Sequence, residues 1–221
     1  MKLMLYQAFQ YVALVAGGFF YVSLKRWKLL PFLFICLLAV IIESASKWVI
    51  YKQYSSNYFL INLYFLISTP LFLWGYFMQF RLNPLNQKRY KITAFVICIL
   101  FLLNYLFLEG PVALDTLSII LQQFINILLT CGLLFQMATI EEQFNLSAEP
   151  MFWISAGLLI FSLGTLVVLG MNGFIRLNHI TIQNKNLYRV IMPALNIILY
   201  TAYTYAFYLC MRKKKSYLPL S

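Results

Sequence analysis

Seven long apolar runs alternate with short polar stretches along the chain, at roughly 5–24, 29–51, 58–80, 92–108, 114–139, 150–171 and 187–211. Each is near the ~20 residues an α-helix needs to cross the hydrocarbon of a bilayer. Charge-rich heads separate them: "KRWK" at 25–28, "RLNPLNQKRYK" at 81–91, "EEQFNLSAE" at 141–149 and "RKKK" at 212–215. The longest connection is "MNGFIRLNHITIQNKNLYR" at 171–189. The pattern predicts an all-α integral membrane protein, a single seven-helix transmembrane domain over 1–221. Nearly the whole chain is spent on spanning, which leaves no room for a soluble catalytic domain. The start, "MKLMLYQAFQYVALVAGGFF", has the Lys-then-apolar form of a signal peptide but counts here as the first span.

Prolines punctuate these runs as membrane helices allow. Pro31 and Pro150 fall in first turns, where a missing N–H costs little. Pro70, in "LISTPLF", falls mid-span and predicts a kink, with Ser68 and Thr69 on hand for the freed backbone carbonyls. Pro193 falls in the second turn of the last span. Ala13 with Gly17, and Gly157 with Gly164, predict close helix contacts.

Composition sharpens the class. Hydrophobic residues make up 62% of the 221 and charged residues only 10%, against about 25% charged in a soluble domain. The net charge of +11 lies in the connections, as expected of loops facing anionic lipid; no basic domain exists to bind nucleic acid. Eleven of the 17 Lys and Arg residues fall on one side of the predicted bundle, at 25–28, 81–91 and the C-terminus. Lys2, Lys47, Lys52, Arg176, Lys185 and Arg189 fall on the other. The positive-inside rule then puts the N-terminus outside and the C-terminus inside. Cys36, Cys98, Cys131 and Cys210 lie within apolar runs with no metal-ligand spacing, and predict helix packing rather than disulfides or a metal site. No cofactor is expected.

On this topology the polar side chains inside the spans gather in the outer half. Glu43, about two turns below the outer end of the second span, is the only acid inside any span, and Lys47 follows one turn later. A charge exposed at the bilayer centre costs roughly 2.5–3.5 kcal/mol on insertion scales, so such groups turn toward one another or toward water. Glu43 and Lys47 stand at i and i+4, acid first, the favourable order for a helical ion pair. Gln122, Asn126 and Thr130 form one stripe, and Asn196, Tyr200 and Tyr203 another. Together with Asn62 these predict an outward-facing polar pocket, with Glu43, Lys47, Asn62, Gln122, Asn126 and Asn196 as ligand-binding candidates. His179, among basic residues of the outer loop, is expected to be a solvated histidine, with a lid over the pocket as the sharper alternative. "NLS" at 145–147 matches a glycosylation sequon but falls in a loop expected inside.

No HExxH, P-loop, CxxC or GxSxG pattern is present, and the last span has no Lys to carry a retinal. Two-carboxylate chemistry at Glu43 would need Glu109 or Asp115; Glu141, Glu142 and Glu149 lie on the opposite side. Buried ionisable groups are too few for the usual coupled transporter.

Three segments, "EPMFWISAGLLIFSLGTLVVL" (149–169), "NYFLINLYFLISTPLFLWGYF" (57–77) and "ALNIILYTAYTYAF" (194–207), resemble a family of small bacterial seven-helix membrane proteins. Some of its members look like free-standing versions of the membrane half of sensor histidine kinases. That resemblance implies a receptor-like or accessory signalling protein of the bacterial inner membrane. It would bind a small extracytoplasmic ligand and act through a cytoplasmic or membrane signalling partner. "GLLIFSLGTLVVLGMNGF" (157–174) is also similar to the lysoplasmalogenase-like membrane family, which implies an enzyme acting on lipid head groups with an acid just after the serine; here Leu163 follows Ser162. A third expectation is a subunit of a larger membrane assembly or transporter.

Overall fold

Apolar runs bounded by charge and proline become helices almost end to end. The computed structural model describes residues 5–52, 57–108, 116–140, 145–171, 181–182 and 185–212. Its helices are α1 (Leu5–Phe19), α2 (Tyr21–Arg26), α3 (Leu30–Tyr51), α4 (Tyr58–Gln79), α5 (Pro84–Leu103), α6 (Thr116–Ile140), α7 (Pro150–Gly170) and α8 (Leu187–Arg212). A π-helical turn, Asn104–Leu108, continues α5, and a 3-10 turn, Leu146–Ala148, precedes α7. Residues Thr181–Ile182 and Lys185–Asn186 pair as a two-residue antiparallel ladder. Six helices, α3 to α8, are long and apolar enough to cross a membrane, which is compatible with a multi-pass membrane protein.

Two predicted runs differ from the helices found. The run 5–24 is not one helix: α1 is 15 residues long and α2 is six, with a turn at Phe20 between them. The break is slight, since Phe20 N–H still donates to Ala16 O at 3.0 Å and Leu24 N–H to Phe20 O at 2.9 Å. The run 92–108 starts too late. Pro84 stands at the first helical position and the Asn83 side chain accepts from Asn86 N–H at 2.9 Å. This is a capped N-terminus, so most of the stretch expected as a polar loop is the first two turns of α5. The remaining boundaries fall within about two residues of expectation. Pro31 and Pro150 sit in first turns, and α4 runs unbroken through Pro70.

The helices close into a ring in which each packs on the next in the order α1, α3, α4, α6, α7, α8 and back to α1. The helix α5 stands outside the ring and packs chiefly on α4. At the end of the bundle that carries the α2–α3 and α4–α5 connections, polar side chains finish the helices. Gln79 donates to the carbonyls of Trp27 and Lys28 at 2.9 and 3.2 Å. Gln136 exchanges two bonds with the backbone of Arg81, at 3.0 and 3.1 Å.

The helix α2 ends in a Schellman motif: Leu29 N–H reaches back to Leu24 O at 2.9 Å and Lys28 N–H to Lys25 O at 3.2 Å. Leu24 and Leu29, both buried, supply its hydrophobic contact. The motif needs a left-handed residue, and Lys28 takes it with φ 58°. A Cβ is disfavoured there, so Lys28→Gly is expected to raise stability by about 0.5–1 kcal/mol. A thermal midpoint in detergent that falls instead of rising would contradict this.

Polarity is split along the bundle axis. The half nearest the α2–α3 connection holds a dry core. There the Phe32 ring meets Phe72, Tyr76 and Tyr203 edge-on at centroid distances of 6.4, 5.7 and 6.2 Å, and Leu24, Ile154 and Phe207 are sealed beside them. In the other half the buried side chains include Gln7, Gln10, Asn62, Gln122, Gln123, Ser162 and Thr165. The predicted gathering of polar groups in one half is therefore present, with Ser155 and Thr130 as buried exceptions.

Candidate functional site

Glu43 lies eight residues before the end of α3, about 12 Å along its axis, and is half-buried. Its carboxylate accepts from the Tyr6 hydroxyl and, at 3.0 Å, from the Gln7 amide Nε2. The same Gln7 accepts at its Oε1 from the Lys47 ammonium. The expected contact between Glu43 and Lys47 is thus made through a third side chain: Gln7 hands its donor to the acid and its acceptor to the base. One turn deeper, Gln10 Nε2 donates to the Tyr200 hydroxyl of α8 at 3.2 Å. Side chains from α1 and α3 therefore meet at one carboxylate, and Gln10 ties the same face of α1 to α8.

The sequence explains why α1 presents these groups. Its buried residues are Gln7, Gln10, Ala13 and Gly17, spaced three or four apart and so on one face. The small pair lets that face close on α3 and α8: a Cβ on Gly17 would run into Leu33, and would stand 3.2 Å from the Phe207 ring. Tyr6, Gln7 and Gln10 were not among the predicted site residues. The available signal was that the two glutamines share a helix face with Ala13 and Gly17.

The other predicted residues go elsewhere. Gln122 bonds across to α4, donating to Ser68 Oγ at 2.8 Å and Thr69 Oγ1 at 2.9 Å. Thr69 in turn donates to Phe65 O at 2.8 Å, the carbonyl four residues before itself and not Leu66 O, the one that Pro70 leaves without its N–H. Gln122 thereby ties α6 to the proline turn of α4. Asn196 donates to Met192 O of its own helix at 2.9 Å, and Thr130 likewise to Asn126 O at 2.8 Å. Asn62 and Asn126 are buried. Asn126 Oδ1, Gln123 Oε1, Ser162 Oγ, Thr165 Oγ1 and the Tyr203 hydroxyl are enclosed without a hydrogen-bond partner among the described residues. Hydrogen bonds between described residues thus link only Glu43 and Lys47 of the six candidates. Two grooves, of about 740 and 380 Å³, lie on the bundle's outer faces, and none of the six lines either.

Of the remaining acids, Glu149 precedes α7 at the opposite end of the bundle. Glu109, Asp115, Glu141 and Glu142 lie outside the described residues, as do His179, Arg176 and the tail 213–221. Comparison of the chain with known families, with curated proteins and with solved structures returns no match.

Proposed function

We propose that this chain is a seven-helix receptor-like or accessory signalling protein of the bacterial inner membrane, reading a small polar solute on its outer side. The seventh span is α1 joined to α2. Together they cover 22 residues, about 33 Å at the α-helical rise, and i→i−4 bonds cross the turn at Phe20. The excess of Lys and Arg on the α2–α3 side supports placing that side in the cytoplasm, with the C-terminus inside and the Glu43 cluster facing out.

The observation that carries the reading is the position of Gln7. Its amide meets a carboxylate with its donor and an ammonium with its acceptor, as a bound solute would. A zwitterion or an amide-bearing solute offers the same donor–acceptor pair and would compete with Gln7 for Glu43 and Lys47. Displacing Gln7 would loosen α1 from α3, and a partner inside would read that change. The resemblance to free-standing sensor membrane domains points the same way.

The test is thermal unfolding in detergent of the wild type and Glu43→Gln across a panel of zwitterionic and amide solutes. At least one solute is expected to stabilise the wild type by several degrees, and Glu43→Gln to lose that shift. Equal responses of the two proteins to every solute would refute the reading.

A further inference from the structure

The helix α5 is set apart from the closed ring, and the wedge between it and α6 is open. A groove of about 380 Å³ runs along this wedge. Asn86 and Arg89, both exposed, stand at its mouth. Ala94 and Ile97 of α5, Leu73 of α4 and Leu128 of α6 line its length. The Tyr90 hydroxyl donates to Leu73 O at 2.8 Å and holds α5 to α4 along the back of the wedge. Amide and cationic groups therefore occupy one end, and the rest is apolar apart from Tyr90 and Thr93.

We propose that this groove is a binding site for one anionic phospholipid of the cytoplasmic leaflet, its phosphate held by Arg89 and Asn86 and one acyl chain laid along α5. The inference rests on the placement of the helices in a bilayer, not on the Glu43 site. Two observations choose this occupant. From Asn86 to Ile97 the groove follows eleven residues of helix, about 16 Å, which is half the ~30 Å hydrocarbon thickness and so the depth of a single leaflet. Its mouth carries a guanidinium, whose planar donors match phosphate oxygens, beside an amide donor. Neighbouring Lys88 and Lys91 add positive charge at the same level, where the anionic leaflet lies. A peptide partner would leave the buried end of the groove unfilled, since a polar backbone has no hydrogen-bond partners along that apolar wall.

The experiment uses the full chain in dodecyl maltoside micelles, with phosphatidylglycerol or phosphatidylcholine titrated in and bound lipid counted by native mass spectrometry. One tightly held phosphatidylglycerol is expected, at an affinity well above that for phosphatidylcholine. Arg89→Gln is expected to weaken it about tenfold, and Ala94→Phe, which fills the groove, to lower retention of both lipids. Arg26→Gln removes a cation from the same side away from the groove and is expected to change nothing. Equal retention of the two lipids by the wild type, or equal weakening by Arg26→Gln and Arg89→Gln, would overturn the site. A chain that stays in solution without detergent would instead overturn the membrane placement itself.

Discussion

Gly157→Ala is expected to destabilise the bundle by about 1–3 kcal/mol, and Ala202→Gly on top of it to restore most of the loss. A Cβ at position 157 would stand 2.5 Å from the Cβ of Ala202, with the backbone of Leu199 at 3.8 Å behind it. The atoms it meets are a Cβ and main-chain atoms, none of which can swing away, so α7 and α8 must part, and overpacking of that kind carries a cost of this size. Ala202→Gly alone is expected to cost about 1 kcal/mol through helix propensity. The double variant should therefore be more stable than Gly157→Ala although each single change is unfavourable. Gly164→Ala makes a sharp control. Its new Cβ would meet only the branched end of Leu195, at 2.6 and 2.7 Å, which can rotate, so its loss should be the smaller. Unfolding midpoints in mixed detergent measure all four proteins. A double variant no better than Gly157→Ala would mean that this contact does not set the α7–α8 spacing.

Gln7→Leu is expected to cost about 2–4 kcal/mol, the other large effect. The substitution leaves a half-buried carboxylate without its amide donor and an ammonium without its acceptor, and an ion stranded in a poorly hydrated place is penalised more than the lost bond is worth. Tyr6→Phe removes one donor to Glu43 and should cost less, about 1–2 kcal/mol. Replacing the set together, as Gln7→Leu with Glu43→Leu and Lys47→Leu, should recover stability relative to Gln7→Leu alone, because no charge is then left unpaired. If the triple variant is the least stable of the series, the cluster acts as a structural brace and its charges are not the source of the penalty.

Helix existence was legible in this sequence because the bilayer demands length and apolarity, and charge and proline mark the ends. The start of α5 was hidden by its composition: Lys88, Arg89 and Lys91 resemble a loop, yet Asn83 and Pro84 hold the cap that begins a helix. Polarity along the axis was also legible, since turns can be counted from each end. What counting cannot supply is the rotation of one helix against another. Glu43 and Lys47 were expected to pair directly, but the side chain that joins them comes from α1, whose angle about its own axis is set by tertiary contacts such as Gly17 closing on Leu33 and Gln10 reaching Tyr200. Asn196 and Thr130 fit polar stripes by spacing and turned instead to their own backbones, an option that short polar side chains always have. The predicted pocket assumed that every stripe faces a common centre, and these two do not serve one.

The turn at Phe20 has a mechanical consequence. Below it, α2 is pinned: Gln79 grips the carbonyls of Trp27 and Lys28, and the Schellman bonds weld it to the start of α3. Above it, α1 carries Gln7 and is fastened mainly by small residues and two amides. The α1–α2 pair is thus a lever with a fixed foot and a fulcrum at Phe20, and a force of a few hydrogen bonds applied at the tip of α1 is delivered as a tilt against α8, on which α1 packs.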